Sequence, residues 1–353
     1  MSRHLPAPRP ARPVLRRGRD RVQIGLDPDR AVLVEGLSDV ASTALLHLDG
    51  ATGRHEVLAF APELEDVLDE LDRRGLLEDD PGPYAGVSSV RRARQAPDIA
   101  GLALTTSSTP DALRVMARRA RSAVVVRGTD RAAAHVAVGL AAAGIGVVAL
   151  QGHDRIATAA DLTPVGPLEP HVSWREQVSE AVRREGAHPT AVGTRARRPV
   201  LAVVCSAADV DVPWTDPELA DDLLADGVPH LPVAVTGDAA RVGPLVVPGS
   251  TACLWCLDHR ARDLDAAWPA LADQIRLRHA TARAQDGVLA TVAAAMAVAQ
   301  ALQLVDAPGT AAPACLGAQV ELRTPDAIGR LLPVTRHPTC GCGWNGGPVT
   351  MVG

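Results

Sequence analysis

Four cysteines stand in two close pairs, Cys253 with Cys256 and Cys340 with Cys342. Each pair can offer two thiolates to one metal ion, and together they supply the tetrahedral four-cysteine set that is typical of structural zinc. Such a set leaves no coordination position open for water. We therefore expect the ion to hold the fold together and to do no chemistry. The alternatives are two accidental pairs, or a disulfide within or between them.

The other cysteines, and the histidines near the pairs, have plainer interpretations. Cys205 ends an apolar stretch and Cys315 has no adjacent basic residue, so we expect buried thiols and not nucleophiles. His259 and His279 follow the first pair and are alternative ligands to a cysteine. His337 precedes the second pair, and we expect it to lie beside the ion without binding it.

Composition excludes several classes of protein. The chain of 353 residues contains no lysine, which excludes a lysine-based phosphate clamp and a Schiff-base mechanism. Its net charge of −5 argues against a nucleic-acid partner. No signal peptide is visible, and the apolar stretch around residues 288–305 is typical of a buried helix and not of a membrane span. A cytoplasmic location is expected, and it suits metal-bound thiolates.

Composition and turn signals divide the chain into three regions. Residues 1–20 are rich in proline and arginine and are predicted to form a disordered basic arm. Residues 21–82 are predicted to form a small winged-helix-like α+β module. The remainder, residues 83–353, is predicted to form an α/β domain. The boundary at residue 82 rests on the linker-like sequence EDDPGPYAG.

The small module is predicted from two strands followed by two helices. The strands RVQIGL and RAVLVEGL are separated by an Asp-Pro-Asp turn, and the first helix is capped by Ser38. The second helix carries leucines at helical spacing on one face. Within this module the sequence has five arginines against fifteen aspartates and glutamates, so phosphate would be repelled and DNA binding is not expected.

A peptide that adds to a strand edge is the partner that suits this module physically. The candidate contact residues lie on the second strand and on the second helix: Val32, Leu33, Val34, Leu64, Leu68 and Leu71. The acidic helix predicts a peptide that carries arginine or lysine. The alternatives are that the module docks onto the chain's own second half, and that its acidic face is only solvated surface.

Beyond the linker the pattern becomes that of an α/β protein. IAGLALTT is predicted to be a strand and TPDALRVMARRARS a helix. The strand AVVVRG, the alanine-rich helix DRAAAHVAVGLAAAG and the strand IGVVALQG then form a βαβ unit of the nucleotide-binding kind. A further strand, the helix PELADDLLADG and a strand pair lead to the first cysteine pair.

Three segments carry a family resemblance that covers roughly residues 95–345. GVPHLPVAVTGDAARVGPLVVPGSTACLWCL, DGVLATVAAAMAVAQALQLV and GAQVELRTPDAIGRLLPVTRHPTCGCGW resemble the ThiF/MoeB and ubiquitin-activating superfamily. The last pair is CxC here, where the superfamily has CxxC. The resemblance implies a ThiF-like Rossmann-type body with a zinc clip, commonly dimeric, that adenylates a carboxylate with ATP and Mg²⁺.

The order of a winged-helix-like module and a ThiF-like body resembles a narrower group. These are the cyclodehydratase-associated proteins of azol(in)e peptide natural-product biosynthesis. The resemblance implies that the first module binds the leader of a precursor peptide and presents the peptide to a partner modifying enzyme. It rests on the order of elements and on VQIGLDPDRAVLVEGL.

The nucleotide-site motifs of the superfamily are altered in this chain. Gly128, Thr129 and Asp130 stand in the loop where the superfamily has GxGGxG, and side chains there would crowd a phosphate. Asp154 and Asp209 are displaced substitutes for the ribose-binding and metal-binding acids. These departures argue against ATP and Mg²⁺ as cofactors. The sequence therefore predicts a catalytically degenerate peptide-binding protein. The alternatives are an adenylyltransferase that acts on a carrier-protein C-terminus, and a docking scaffold without peptide binding.

Overall fold

The computed structural model describes residues 9–10, 12–48, 52–74, 76–78, 89–106, 109–164, 166–189, 198–206, 217–277, 285–306 and 312–343. The chain divides into a smaller unit, residues 1–117, and a larger unit, residues 118–353. The sequence predicted the division at residue 82. The smaller unit extends further because two helices beyond the linker pack within it, through the apolar side chains of Ile99, Ala103, Ala112 and Met116.

The smaller unit contains five strands and five helices among its described residues. The strands are β1 (Arg9–Pro10), β2 (Val14–Arg16), β3 (Arg21–Ile24), β4 (Val32–Glu35) and β5 (Leu77–Glu78). The helices are α1 (Asp39–Leu46), α2 (Arg54–Phe60), α3 (Glu65–Arg73), α4 (Ser89–Thr106) and α5 (Thr109–Arg121), with a 3₁₀ turn at Pro62–Leu64. Strands β2, β3 and β4 form an antiparallel sheet in that order, and β1 pairs with β5.

Local signals in the sequence account for most of these elements. Ser38 caps α1, because its Oγ accepts a hydrogen bond from the backbone N–H of Ala41 at 3.1 Å. The inner face of the sheet, with Val22 and Ile24, packs on the apolar face of α3 in one core. This burial of alternating strand residues against a helical stripe fixes the register of the small sheet.

Two sequence predictions for this region are wrong. Residues 14–16, assigned to a disordered arm, form β2, because Val14 can pair across to Ile24 at the border of the core. Residues 99–106, predicted as a strand, form the second half of α4. In that segment Ile99 and Ala103 are four residues apart, which places both on one helix face against α5. A short apolar run does not by itself distinguish a strand from a helix.

The larger unit contains the remaining nine strands and six helices of the described chain. The strands are β6 (Ala123–Arg127), β7 (Val147–Gln151), β8 (Leu162–Thr163), β9 (Gly166–Pro167), β10 (Leu201–Ser206), β11 (His230–Val235), β12 (Ala239–Val242), β13 (Ala318–Arg323) and β14 (Arg330–Pro333). The helices are α6 (Arg131–Ala142), α7 (Trp174–Arg184), α8 (Pro217–Ala225), α9 (Leu254–Leu264), α10 (Trp268–Leu277) and α11 (Gly287–Asp306), with a 3₁₀ turn at Gly341–Gly343.

A mixed seven-stranded sheet organises the larger unit, in the order β14-β13-β12-β11-β10-β6-β7. Strands β7, β6, β10 and β11 are parallel, and β12, β13 and β14 continue the sheet with antiparallel pairing. Helices α6, α7 and α11 contribute to the large core on one face, whereas α8 contributes to a smaller cluster with Val125 and Val204. The predicted βαβ unit and strand pair are present.

Helix α11 is long and apolar enough to span a membrane by composition alone. It packs instead against α6 and against strands β11 and β12. Its alanines and those of α6 are buried at the contact, and Gly139 of α6 leaves room for a methyl group of Val298. Small side chains let the two helices approach closely, so α11 occupies the place of a core helix, as the sequence predicted.

Candidate functional site

The switch point of the parallel sheet lies between β6 and β10. From β6 the chain passes to β7 on one side and later returns to β10 on the other. In open α/β sheets, the crevice at the carboxyl ends of such strands is where ligands bind. Gly128, directly after β6, has φ +129°, and a β-carbon there would lie 2.4 Å from the carbonyl oxygen of Cys205 at the end of β10. The two strand ends therefore approach each other backbone to backbone.

Asp130 occupies the N-terminus of α6 beside this crevice. Its Oδ1 accepts a hydrogen bond from the N–H of Ala133 at 2.7 Å, and its Oδ2 accepts one from Nε2 of Gln285 at 3.1 Å. The side chain is buried, and this burial raises the pKa of Asp130 despite both hydrogen bonds. A helix N-terminus after a strand is the usual cradle for phosphate. Here a carboxylate of the chain itself takes that place.

Thr129 is held in the loop through its backbone. Its carbonyl oxygen accepts a hydrogen bond from Nε of Arg155 at 2.9 Å, and the guanidinium of Arg155 lies 5.9 Å from the ring centre of Trp174. The same guanidinium donates two hydrogen bonds to Asp161, at 2.7 and 2.5 Å. Burial opposes ionisation of Asp161, but the bonds from Arg155 and Thr158 lower its pKa overall. The loop after β6 is thus tied to a bidentate ion pair.

Asp154, the predicted substitute for a ribose-binding acid, has a structural role. Its carboxylate accepts hydrogen bonds from Oγ of Ser173 at 2.7 Å and from the N–H groups of Arg175 at 3.1 Å and Arg155 at 2.9 Å. Partial desolvation opposes these bonds, yet they lower the pKa of Asp154 overall. Since Ser173 caps α7, Asp154 fixes the start of that helix. Asp209, the other substitute acid, lies outside the described residues.

A cavity of about 460 Å³ opens on the α8 face of the sheet next to the crevice. Its polar lining comes from Arg127, Gln151 and His153 at the ends of β6 and β7, and from Asp222 and Asp226 in and after α8. Charges of both signs line it, so it presents no concentrated positive field for a triphosphate. Cys205 is buried at the end of β10, and burial raises its pKa well above the usual thiol value. It is therefore a buried thiol, as expected, and not a poised nucleophile.

The four paired cysteines meet in one cluster. Their sulfur atoms all lie within 4.8 Å of one another, with Sγ–Sγ distances of 3.8 Å within the first pair and 3.6 and 3.4 Å between pairs. A tetrahedron of zinc–sulfur bonds of about 2.3 Å places its sulfurs about 3.8 Å apart. The donor set and the spacing therefore fit a tetrahedral metal ion such as zinc. All four side chains are free thiols without a disulfide.

The surroundings of the cluster support this interpretation. The thiol hydrogen bond between Cys253 and Cys256 raises the pKa of Cys253 and lowers that of Cys256. His337 bonds Asp263 through Nε2 at 2.7 Å and stacks on His259 at 5.0 Å between ring centres, so it belongs to a layer beside the cysteines. Four thiolates complete the shell without either histidine. His279 lies outside the described residues.

The candidate peptide contacts separate into two groups. On β4, Val32 and Val34 are half-buried and Leu33 is 42% exposed. Strand β4 pairs with β3 alone among the described strands, so its other edge offers backbone groups. The helical candidates differ, because Leu64, Leu68 and Leu71 are 0–1% exposed in the core of the unit. These leucines support the module and are not available to a peptide in this conformation.

Comparisons with known proteins give a fold and no sequence family. No family model matches the chain, and no curated protein matches it. Among solved structures, E. coli MccB with AMPCPP and MccA aligns at a TM-score of 0.63 and 16% identity, covering 94% of this chain and 97% of MccB. PaaA aligns at a TM-score of 0.64 and 16% identity, covering 93% of this chain and 99% of PaaA. This chain has the ThiF-like fold.

The ThiF-like alignment extends over the smaller unit as well as the seven-stranded sheet, because it covers 94% of the chain. Another structure of the same neighbour, MccB with ATP, aligns at a TM-score of 0.61 and 17% identity, covering 94% of this chain and 97% of MccB.

Two residues that organise the crevice here, Arg155 and Gln285, were missed by the sequence prediction. Neither lies in a motif, and each acts on a partner far away in the sequence.

Proposed function

We propose that this protein binds a precursor peptide along strand β4 and presents it to a separate modifying enzyme, such as a cyclodehydratase. The observation that carries the proposal is the free edge of β4 with the exposed Leu33. An extended peptide can pair with such an edge through backbone hydrogen bonds, and neighbouring pockets then give specificity. The solved neighbour MccB, a microcin C7 biosynthetic enzyme, is in complex with N-formylated MccA.

The crevice in the larger unit supports a second part of the proposal, that the protein does not use ATP. The carboxylate of Asp130 caps α6 where a phosphate would need to sit, and its bonds to Ala133 and Gln285 hold it there. A nucleotide phosphate would have to displace this buried carboxyl group and break both of its hydrogen bonds. The carboxylate of Asp154 is engaged at the start of α7, where it accepts a hydrogen bond from Ser173. It is therefore not free to bind a ribose, which also argues against the use of ATP.

The remaining parts of the proposal follow from the cysteine cluster and the fold. Cys253, Cys256, Cys340 and Cys342 bind one structural zinc ion. Its thiolates suit a reducing, cytoplasmic location. A partner enzyme and the homodimer expected of the superfamily complete the proposed assembly, whereas nucleic acid and membrane are not proposed partners. The zinc contributes to folding and takes no part in the function directly.

An adenylyltransferase is the second candidate. It is favoured by the alignment with MccB bound to ATP. The third candidate, a docking scaffold that binds an enzyme but no peptide, would use the same smaller unit that is proposed to bind the peptide.

Exchange of pyrophosphate into ATP with Mg²⁺ separates peptide binding without ATP from adenylation. We expect no exchange and no thermal stabilisation by ATP, since a ligand that does not bind the native state cannot stabilise it. A saturable stabilisation by Mg·ATP would instead favour the enzyme.

Peptide binding is tested by fluorescence anisotropy with labelled peptides from short open reading frames beside the gene, and with a random DNA duplex. We expect a peptide to bind and the duplex not to bind. Along an edge strand alternate N–H groups point outwards, so one of Leu33→Pro and Val34→Pro removes an outward donor. That variant should lose binding with an unchanged circular-dichroism spectrum. Arg16→Pro, on the opposite edge strand β2, is the matched control, because Leu15 faces Gln23 in a hydrogen-bonded pair whereas the N–H of Arg16 points away from β3.

A further inference from the structure

A cavity of about 480 Å³ lies in the smaller unit where β4 begins. Its wall includes Val32, the first residue of β4, and Leu104 near the end of α4. Three arginines from separate parts of the chain line it, and one acidic residue does: Arg12, Arg30, Arg74 and Asp29. The unit as a whole has slightly more acids than arginines, so this local excess of arginine comes from the way the chain folds.

Arg12 is held in place by its surroundings. Its Nη1 donates a hydrogen bond to the backbone carbonyl of Arg30 at 3.0 Å. Its Cδ passes over Gly25, which has φ +85° and where a β-carbon would lie only 3.1 Å from that atom. In the described part of the chain no carboxylate forms an ion pair with Arg12. A positioned guanidinium with donors to spare is suited to a carboxylate.

The other two arginines of the cavity are Arg30 and Arg74. Arg30 forms a weak ion pair, and Arg74 forms an ion pair with a residue of the helix that precedes it. Arg30 approaches Asp27 only to 4.0 Å, and both side chains are more than half exposed. Nε of Arg74 bonds Glu70 one turn earlier on α3, at 2.5 Å, which leaves its terminal nitrogens as further donors. Two of the five acids of α3 are themselves engaged, since Asp69 pairs with Arg54 and Glu70 with Arg73 and Arg74. The charge nearest this end of the strand edge is therefore positive.

We propose that this cavity binds an aspartate or glutamate side chain of the peptide that adds to β4. The inference rests on the proposed peptide binding and names the chemistry that selects the peptide. A strand paired with β4 would carry one of its side chains past Val32 into the cavity, because alternate residues of an added strand point to the same face. The arginines there can donate to a carboxylate in a fork geometry. This replaces the expectation from the sequence that the peptide would be basic.

The test is a selection from an mRNA-displayed library of random twelve-residue peptides. These peptides are linked through their C-termini, so only side chains offer carboxylates. The full-length protein, Arg12→Gln, Arg30→Gln and Arg19→Gln are used in parallel. Arg19 is exposed in the turn between β2 and β3, at the other end of the small sheet. The Arg19→Gln control therefore removes the same charge from the same unit away from the cavity.

We expect the wild type and Arg19→Gln to enrich peptides with an acid at one fixed distance from an alternating apolar pattern. Arg12→Gln and Arg30→Gln should keep the apolar pattern and lose the acid. A selected peptide remade with Glu→Gln should bind the wild type about tenfold more weakly and bind Arg12→Gln little differently. Thermal melts of the variants confirm that they are folded, and Arg30→Gln remains informative if Arg12→Gln is not.

The possible outcomes distinguish this inference from the function on which it rests. Peptides that show no acid preference, or whose acid preference survives in both cavity variants, would overturn the acidic subsite while peptide binding stands. The absence of enrichment on any protein would overturn peptide binding itself, and the subsite with it. A result in which the wild type and Arg19→Gln enrich peptides, whereas folded Arg12→Gln and Arg30→Gln enrich none, would support the cavity as the main anchor of the peptide.

Discussion

Gly128 and Cys205 meet across the switch point of the sheet, where a β-carbon on Gly128 would lie 2.4 Å from the carbonyl oxygen of Cys205. The contact is backbone against backbone, so no side-chain rotation can relieve it. Gly128 also has φ +129°, which other residues adopt only with strain. The loop that would bind a nucleotide in this fold is therefore constrained by β10 as well as by its own hydrogen bonds.

The first prediction concerns this contact. Gly128→Ala should lower the free energy of unfolding by more than about 2 kcal/mol, because it combines backbone strain with a clash. Gly166→Ala is the matched control, since Gly166 has φ +135° but no atom within 4 Å of the place that a methyl group would occupy. Urea denaturation of both variants measures the difference. Equal losses would mean that Cys205 yields to the methyl group at little cost.

The second prediction concerns the buried carboxyl of Asp130. Burial raises its pKa above that of the unfolded chain, so the unfolded state releases its proton first as the pH rises. The wild type should therefore lose stability relative to Asp130→Asn from about pH 4 upwards, until the pH passes the raised pKa. Urea denaturation between pH 4 and pH 8 measures this difference. A difference that is independent of pH would show that the carboxyl is not perturbed by burial.

The third prediction has the opposite sign. Hydrogen bonds from Arg155 and Thr158 outweigh burial and lower the pKa of Asp161, so its stabilising effect is complete above the unfolded pKa of about 3.9 and is lost as the pH falls. Asp161→Asn should cost about 2 kcal/mol at pH 7 and less in acid. Asp222→Asn, at an exposed position, serves as the control. A cost that stays constant down to pH 3 would contradict the role of the ion pair.

The fourth prediction concerns the cysteine cluster. Purified protein should contain one zinc ion per chain, and Cys256→Ser should lower both metal content and melting temperature, because three thiolates no longer close the shell. Cys315→Ser is the control, since Cys315 is buried away from the cluster and its thiol bonds the carbonyl of Val242. Elemental analysis after purification without chelators decides the matter. Metal well below one equivalent in the wild type would refute the zinc site.

The same cluster has a pH dependence. Burial raises the pKa of Cys340 to about 11, and the bond to Cys256 raises that of Cys253, so the metal-free cluster retains protons at neutral pH. Metal binding must release these protons. We therefore expect zinc affinity, measured by competition with a chromophoric chelator, to fall steeply between pH 8 and pH 6. An affinity that does not change over this range would argue that the thiols are already ionised.

Sequence patterns predicted the elements whose signals are local. The βαβ unit of β6, α6 and β7 has continuous apolar strands and an alanine-rich helix, and the cysteine pairs have ligand spacing. The second half of helix α4, residues 99–106, was mistaken for a strand because an apolar run of eight residues has no decisive period. Helix α7 went unpredicted, although Ser173 caps it and Trp174 is buried at its start. In these places tertiary packing decides between local alternatives.

The sites show the same division between local and distant information. Asp130 was singled out from the sequence as a departure from a glycine-rich loop, but its partner Gln285 is 155 residues away and could not be predicted. The arginine-lined cavity could not be predicted, because Arg12, Arg30 and Arg74 share no motif and meet only when the small sheet packs on its helices. Overall charge predicts a basic peptide whereas the proposed cavity selects an acidic one, because net charge averages over the whole module and carries no information on where its arginines meet.

The cysteine cluster also has a consequence for the synthesis of this protein. Cys340 follows Cys253 by 87 residues, and both belong to the proposed four-thiolate site. At about 5–20 residues per second, a ribosome takes roughly 4–17 s to make the second pair after the first. Throughout that interval the nascent chain carries two thiols without their partners. Oxidants or a competing metal that react within seconds would therefore damage newly made chains far more readily than finished ones.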